Sequence, residues 1–173
     1  MFSRIIIVGS PGAGKSTLAK ELHKSVCLPL YHLDQWYWLP QWEERSKEEW
    51  YTLQEQIVNQ IQWIIDGNYQ STLDLRLKHA DLIVLLDVPR RQCLWRAFLR
   101  AIRSYGTTRS DMGKDCPERL DFAFFLYIWQ FQKRQYPQLL AKIKQAEQEG
   151  KKVMVLRPRD LKKPIKQLFE VNE

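Results

Sequence analysis

Nine consecutive residues, Gly9-Ser10-Pro11-Gly12-Ala13-Gly14-Lys15-Ser16-Thr17, combine three glycines, a lysine and three hydroxyls at a spacing suited to polyphosphate. Glycines let backbone N–H groups turn inward with no Cβ in the way, which forms a concave anion nest. Lys15 is positioned to reach the β- and γ-phosphates, and the Ser16 hydroxyl to hold Mg²⁺. Gly9, Pro11, Gly12, Ala13, Gly14 and Thr17 complete the cradle. The apolar run Ile5-Ile6-Ile7-Val8 precedes the loop and the helix-forming Leu18-Ala19-Lys20-Glu21-Leu22 follows it. This is the order strand, glycine loop, helix, in which the positive end of the helix dipole adds to the site. The ligand that follows from these residues is a nucleoside triphosphate with its Mg²⁺.

Carboxylates and arginines form the second chemical set. Apolar runs end in Asp34, Asp66 and Asp87, and a later one in Arg157. In open α/β sheets the carboxyl ends of the strands carry the site, so these acids converge where a Mg²⁺–nucleotide needs them. Asp66 suits a water-mediated Mg²⁺ contact. Asp87 competes for that role, but Val88-Pro89 after it favours capping of the next helix. Asp34 can orient or deprotonate a hydroxyl acceptor. With a phosphate acceptor, already largely ionised near neutral pH, it would instead hold a base, a sugar or magnesium-bound water; capping of the following loop is the plainer alternative. Arg96, Arg100 and Arg103 recur at i, i+4 and i+7, and with Arg109 and Arg119 they bracket a glycine-containing loop. Planar guanidinium forks bind phosphate oxygens bidentately, so at least one of these arginines is expected on a transferring phosphoryl group, with Arg96, Arg100 and Arg109 the named candidates.

The elements that position these groups follow from periodicity. A first helix ends near Ser25, and residues 28–33 read as a second strand. Trp36-Tyr37-Trp38-Leu39-Pro40-Gln41-Trp42 is an aromatic loop, whose rings either stack on a substrate or pack beneath the next helix. Ser46 and Glu49 make a capping box for a helix to about Gln60. A strand over 62–67, a short helix from Ser71 to Lys78 and a buried strand over 81–87 come next. Pro89 opens a helix with an apolar stripe of Leu94, Trp95, Phe98, Leu99 and Ile102. Residues 104–116 read as a mobile loop. A helix from Glu118 to Arg134, opened by Pro117, is apolar nearly all round and is expected to be buried. After Tyr136-Pro137 a polar helix runs to Glu149, then a fifth strand from Lys152 to Leu156 and a closing helix from Leu161 to Phe169. Strands alternating with helices predict an α/β fold: a doubly wound, parallel five-stranded sheet of the P-loop NTPase type, helices on both faces, and a small arginine-bearing lid. One domain spans 1–173, with an acceptor-binding region over 34–60 and the lid loop over 104–117.

The net charge of +7 on 173 residues suits nucleic acid, an acidic membrane surface or a polyanionic small substrate. No long Lys/Arg block supports the nucleic-acid alternative. Cys27, Cys93 and Cys116 lack CxxC spacing, which argues against disulfides and zinc. The first strand begins by Arg4, too early for a signal peptide, and no apolar run reaches membrane-spanning length, so a cytoplasmic protein without membrane partners is expected. Nothing in the sequence fixes the oligomeric state.

Gly9 to Thr17, Ile65-Asp66-Gly67, and Leu86-Asp87-Val88-Pro89 with Arg96 and Arg100 resemble the phosphate loop, acceptor-side motif and arginine helix of adenylate-kinase-like P-loop kinases. Val153 to Arg157 is placed like the last strand of that group, whose following loop contacts adenine, and this implies Arg157 as a nucleotide contact. A match over nearly the whole chain runs through His32-Leu33-Asp34, Tyr37-Trp38-x-Pro40-x-Trp42, Trp63 to Tyr69, Arg109 to Met112 and Cys116-Pro117-Glu118-Arg119. These residues resemble the bacterial topology modulation protein family, kinase-like proteins named for an effect on DNA topology. Adenylate kinases continue Asp-Gly with Phe-Pro-Arg, whose arginine grips the acceptor phosphate, whereas this chain has Asn68-Tyr69-Gln70. Arg45 is the candidate to replace that arginine, and Asp34, Trp38, Trp42, Asn68 and Tyr69 complete the expected acceptor pocket. The sequence thus predicts ATP- and Mg²⁺-dependent phosphoryl transfer to a small acceptor, a nucleoside or nucleotide among the choices. A nucleotide-dependent regulator or DNA-binding protein is the alternative.

Overall fold

The computed structural model describes residues 2–169; residue 1 and residues 170–173, the outermost positions of the expected 1–173 domain, lie outside them. In chain order the elements are β1 (Arg4–Gly9), α1 (Lys15–Val26), β2 (Leu30–His32), α2 (Leu33–Tyr37), β3 (Trp38–Leu39), β4 (Glu43–Glu44), α3 (Lys47–Val58) and β5 (Trp63–Asp66). They continue with α4 (Leu73–His79), β6 (Leu82–Leu86), α5 (Arg90–Arg103), α6 (Phe122–Arg134), α7 (Tyr136–Gln148), β7 (Lys152–Leu156) and α8 (Ile165–Phe169). The main sheet has the order β2-β5-β1-β6-β7 with every neighbouring pair parallel. β1 is central because its alternate side chains feed both layers. Ile5 and Ile7 join Leu18 and Leu22 of α1 and Cys93 and Ala97 of α5 on one face. Ile6 and Val8 join Trp50 and Ile57 of α3, Leu77 of α4 and Ile143 of α7 on the other. Burying each such aliphatic side chain stabilises the fold by roughly 1.5–3 kcal/mol. Winding to both sides of β1 leaves a crevice at the carboxyl ends of β1, β5 and β6, and there the phosphate loop leaves the sheet.

Several local expectations are corrected. The aromatic loop is built as α2, then a small antiparallel hairpin of β3 and β4 joined through Pro40–Trp42. Thr72 stands at the N-cap of α4 with no side-chain capping bond, so the helix expected from Ser71 begins at Leu73. Pro117 does not open a helix: α6 starts at Phe122, where the Asp121 carboxylate accepts from the N–H groups of Ala123 and Phe124. Nor is α6 buried all round, since Phe122, Leu126 and Trp129 are exposed. On α5 the core takes Cys93, Ala97 and Ala101, while Trp95, Phe98 and Ile102 of the expected stripe face outward. Small residues win that face because α5 lies against the backbone of the phosphate loop, where larger side chains find no room. The expected cap Asp87 is absent from the cap position; its Oδ1 accepts the Tyr136 hydroxyl at 2.7 Å.

Candidate active site

The phosphate loop and α5 meet backbone to backbone. Gly12 has φ +79°, and a Cβ there would run into the Cys93 carbonyl. The residue must therefore be glycine both for its left-handed conformation and for its closeness to α5. Arg96 donates to the Ala13 carbonyl at 2.9 Å and ties the same two elements. Lys15 folds back over the loop, with Nζ 3.1 Å from the Gly9 carbonyl and 3.2 Å from that of Ser10. Burial lowers its pKa, while the charges of Asp66 and Asp34 act to raise it.

The end of β5 fastens the other side of the crevice. Asp66 Oδ2 lies 2.9 Å from His32 Nδ1, and its Oδ1 is buried without a partner. His32 received no role in the sequence reading. The signal was topological: β2 and β5 are neighbours in a register that sets His32 beside Asp66, and strand order cannot be read from one sequence. The Asn68 side chain both accepts from Gly9 N–H at 3.1 Å and donates to the Gly9 carbonyl at 2.8 Å, so its amide is occupied by the phosphate loop. The Tyr69 hydroxyl donates to Asp34 Oδ1 at 2.6 Å. Burial pushes the Asp34 carboxyl above its ordinary pKa, and the Tyr69 hydrogen bond pulls against that shift.

Arg76 holds this segment in shape. Its guanidinium is fully buried and donates to the carbonyls of Gly67, Asn68 and Tyr69. Burial lowers its pKa to about 9. The three bonds support Tyr69 at φ +28°, a conformation side chains rarely adopt. Arg76 is thus the first arginine after Asp66, and it points into the loop rather than toward an acceptor.

The expected mobile loop over 104–116 is docked. Arg109 pairs with Asp111 at 3.1 Å and with Glu118 at 2.8 Å, and Arg100 reaches Glu118 at 3.4 Å. Asp111 lies 3.5 Å from Lys20 of α1. Burial alone would raise the Asp111 pKa, but Arg109 and Lys20 outweigh it and hold it below its ordinary value. Burial and Arg109 lower that of Arg100. The tip rests on the hairpin: Gly113 packs so closely on the Trp38 carbonyl that a Cβ would overlap it, and Gln41 N–H donates to the Asp115 carbonyl at 3.1 Å.

Asp34, Lys15, Asp66, Tyr69, Arg96, Arg100 and Arg109 are therefore brought round one crevice with the phosphate loop. Trp38 and Trp42 meet edge to face at 5.5 Å in the hairpin, with Arg119 5.3 Å over Trp42. Tyr37, Trp50 and Tyr69 pack together behind them, so part of the aromatic cluster is core. Arg45 is not gathered in: its Nε donates to the Trp36 carbonyl, and it lines a separate cavity with Glu48 and Glu49 of α3. Arg157 lines a cavity of about 460 Å³ with Asp87, Pro89, Arg90, Gln132 and Pro158, at the ends of β6 and β7. Among the described residues, no group of three or more His, Cys, Asp or Glu side chains is arranged to hold a metal ion by itself, and no helix is long and apolar enough to cross a membrane.

No family model matches the chain. The uncharacterized protein YqaC of Bacillus subtilis (strain 168) is 32% identical over 110 residues, a span covering 61% of this chain and 61% of that protein. Shikimate kinase from Acinetobacter baumannii in complex with shikimate superposes with a TM-score of 0.61 at 17% identity, over 100% of this chain and 96% of the other. Shikimate kinase from Aquifex aeolicus gives a TM-score of 0.51 at 14% identity, over 96% of this chain and 92% of the other. At such identities the likeness is one of fold, and the parallel five-stranded sheet with its flanking helices has the P-loop kinase fold.

Proposed function

We propose that this chain is an ATP- and Mg²⁺-dependent kinase that phosphorylates a hydroxyl of a small acceptor, with nucleosides and nucleotides the first classes to test. The observation carrying this reading is Asp34: a half-buried carboxylate, bonded by Tyr69, close enough to Lys15 and Asp66 for their charges to act on it. A phosphate acceptor is already largely ionised and needs no base. A hydroxyl acceptor does, and a carboxylate with a raised pKa is a better base at working pH than an ordinary one. The unpartnered Asp66 Oδ1 and the Ser16 hydroxyl at the head of α1 fit Mg²⁺, with Asp66 acting through water. Bound there, Mg²⁺ would neutralise charge on the phosphates. Lys15 would leave the Gly9 and Ser10 carbonyls for the nucleotide, and Arg96, Arg100 and Arg109 would supply cationic charge at the transferring group. Trp38, Trp42 and Tyr69 would bound the acceptor, and Arg157 the base of the nucleotide.

In this reading residues 1–173 are one cytoplasmic kinase domain whose lid, 104–117, closes on the 34–60 region. The resemblance to the topology modulation proteins supports a kinase-like reading without naming the acceptor. A DNA-directed role draws on the charge of +7, but Arg96, Arg100 and Arg109 engage the phosphate loop and lid acids instead of forming an outward basic face. The test is ADP formation from ATP and Mg²⁺ across a panel of nucleosides, nucleotides and sugars. Lys15→Ala should remove at least ~10³-fold of the turnover and Asp34→Asn about 10²–10⁴-fold, both with unchanged circular dichroism. Full activity in Lys15→Ala would sink the proposal.

A further inference from the structure

Helices α5 and α6 carry apolar side chains that the core does not use. Trp95, Phe98 and Ile102 recur at i, i+3 and i+7 on α5, and Phe122, Leu126 and Trp129 at i, i+4 and i+7 on α6; all six are exposed, Trp95 by 60% and Phe122 by 84%. The two helices run antiparallel: the Arg90 guanidinium lies 3.9 Å over the Trp129 ring, while Phe98 and Phe125 are 6.3 Å apart and Arg100 lies 5.8 Å over Phe124. Helical periodicity therefore turns both triplets to the shoulder shared by α5 and α6, where they form one surface. Tyr105 and Leu120, exposed at the two ends of the lid loop, extend it beside Ile102 and Phe122. The exposed side-chain area is on the order of 800 Å², above the ~300–600 Å² of the largest apolar patch on a typical monomer. It is of the same order as the ~800 Å² that each partner contributes to a standard interface.

We propose that this surface is a twofold interface with a second copy of this chain, α5 and α6 of each copy packing as a four-helix arrangement. Charge placement supports a second copy. Neither helix contains Asp or Glu, and the cations on this shoulder, Arg90 over Trp129 with Arg91 and Lys133, stand at the end opposite Phe122. A twofold axis through the middle lays the cationic end of each copy over the aromatic end of the other. Like charges are thereby kept apart, and Arg91 gains an aromatic face for a cation–π contact. Because both ends of the lid loop border the surface, dimerisation also braces the hinges of the lid.

Sedimentation velocity over about 1–100 μM, without nucleotide or acceptor, reads the proposal independently of the kinase assignment. The expected species has twice the 20.7 kDa mass of one chain. Trp95→Asp with Phe122→Asp should raise the dimer dissociation constant at least ~100-fold, and Leu126→Lys should act in the same direction. Matching thermal melts at low concentration would show that the variants fold. A monomer throughout the range overturns the proposal, whether or not vesicles of anionic lipid or an acidic protein retain it. A dimer indifferent to all three substitutions overturns it equally.

Discussion

Replacing Tyr69 by Phe deletes one oxygen and isolates the link between the β5 loop and Asp34. The ring would stay where it is, packed 4.7 Å from Tyr37 and 4.9 Å from Trp50 between centroids. What is lost is the 2.6 Å hydrogen bond to Asp34 Oδ1. A hydrogen bond to an ionised carboxylate contributes about 1.5–3 kcal/mol, and here it favours the charged form against the effect of burial. At ~1.4 kcal/mol per pH unit, its removal should move the Asp34 titration midpoint up by roughly one to two pH units. Asp34 already titrates above its unfolded value, so its contribution to stability is fully present below the unfolded pKa and lost as pH rises through the folded one. Tyr69→Phe extends that loss to higher pH. Carbon NMR of the Asp34 carboxyl through a pH titration measures the midpoint directly, and melts at acid and neutral pH measure the linked stability. With an acceptor in hand, the acid limb of kcat/KM should shift with it while the plateau is kept. A midpoint that stays put or moves down would refute the hydrogen bond as the force opposing burial.

Two further substitutions probe the parts that hold the crevice. Gly113→Ala places a Cβ on the Trp38 carbonyl, so the lid must lift from the hairpin; amide exchange over 38–42 and 109–116 should quicken at least ~10-fold with a stability loss of about 1–2 kcal/mol, and unchanged protection would count against lid docking. Arg76→Met strips a charged donor from three consecutive carbonyls, and denaturant titration should show a loss of about 3–5 kcal/mol; a loss below about 1 kcal/mol would mean that the loop holds its shape without Arg76.

Local chemistry was legible from the sequence and lateral contacts were not. Ile5 to Val8, the glycine loop and the helix after it are contiguous, so the strand–loop–helix unit could be read from one stretch. Asp66 at the end of β5 and Asp34, two residues past the end of β2, come to the same side because a parallel sheet gathers its carboxyl ends there. His32 was invisible because its partner Asp66 is 34 positions away and strand order decides whether they meet. Arg45 looked suitable by type and proximity in sequence, but its Nε is held by the Trp36 carbonyl. The face of α5 was misread because hydrophobicity alone cannot distinguish a stripe that packs on the core from one that awaits a partner. Alanine and cysteine at 93, 97 and 101 were the usable signal: close backbone approach selects small residues.

The departure at Asn68-Tyr69 acquires a physical reason from Asp66, which ends β5, and the three residues after it. Asp66 meets His32, so it fixes β2; the Gly67 carbonyl meets Arg76 of α4; Asn68 meets Gly9 through both of its amide atoms; and Tyr69 meets Asp34. Four successive positions thus bind the glycine loop, the second strand, the following helix and the Asp34 carboxylate into one unit. An arginine at 69 or 70 gripping an acceptor phosphate would have to give up this role, because Tyr69 reaches Asp34 only from the strained φ that Arg76 supports. The segment instead holds a carboxylate in place, and a carboxylate repels a phosphate while it suits a hydroxyl. Under the proposed function this geometry suits a hydroxyl acceptor, and any substitution loosening the Asn68–Gly9 bonds should then disturb nucleotide and acceptor binding together.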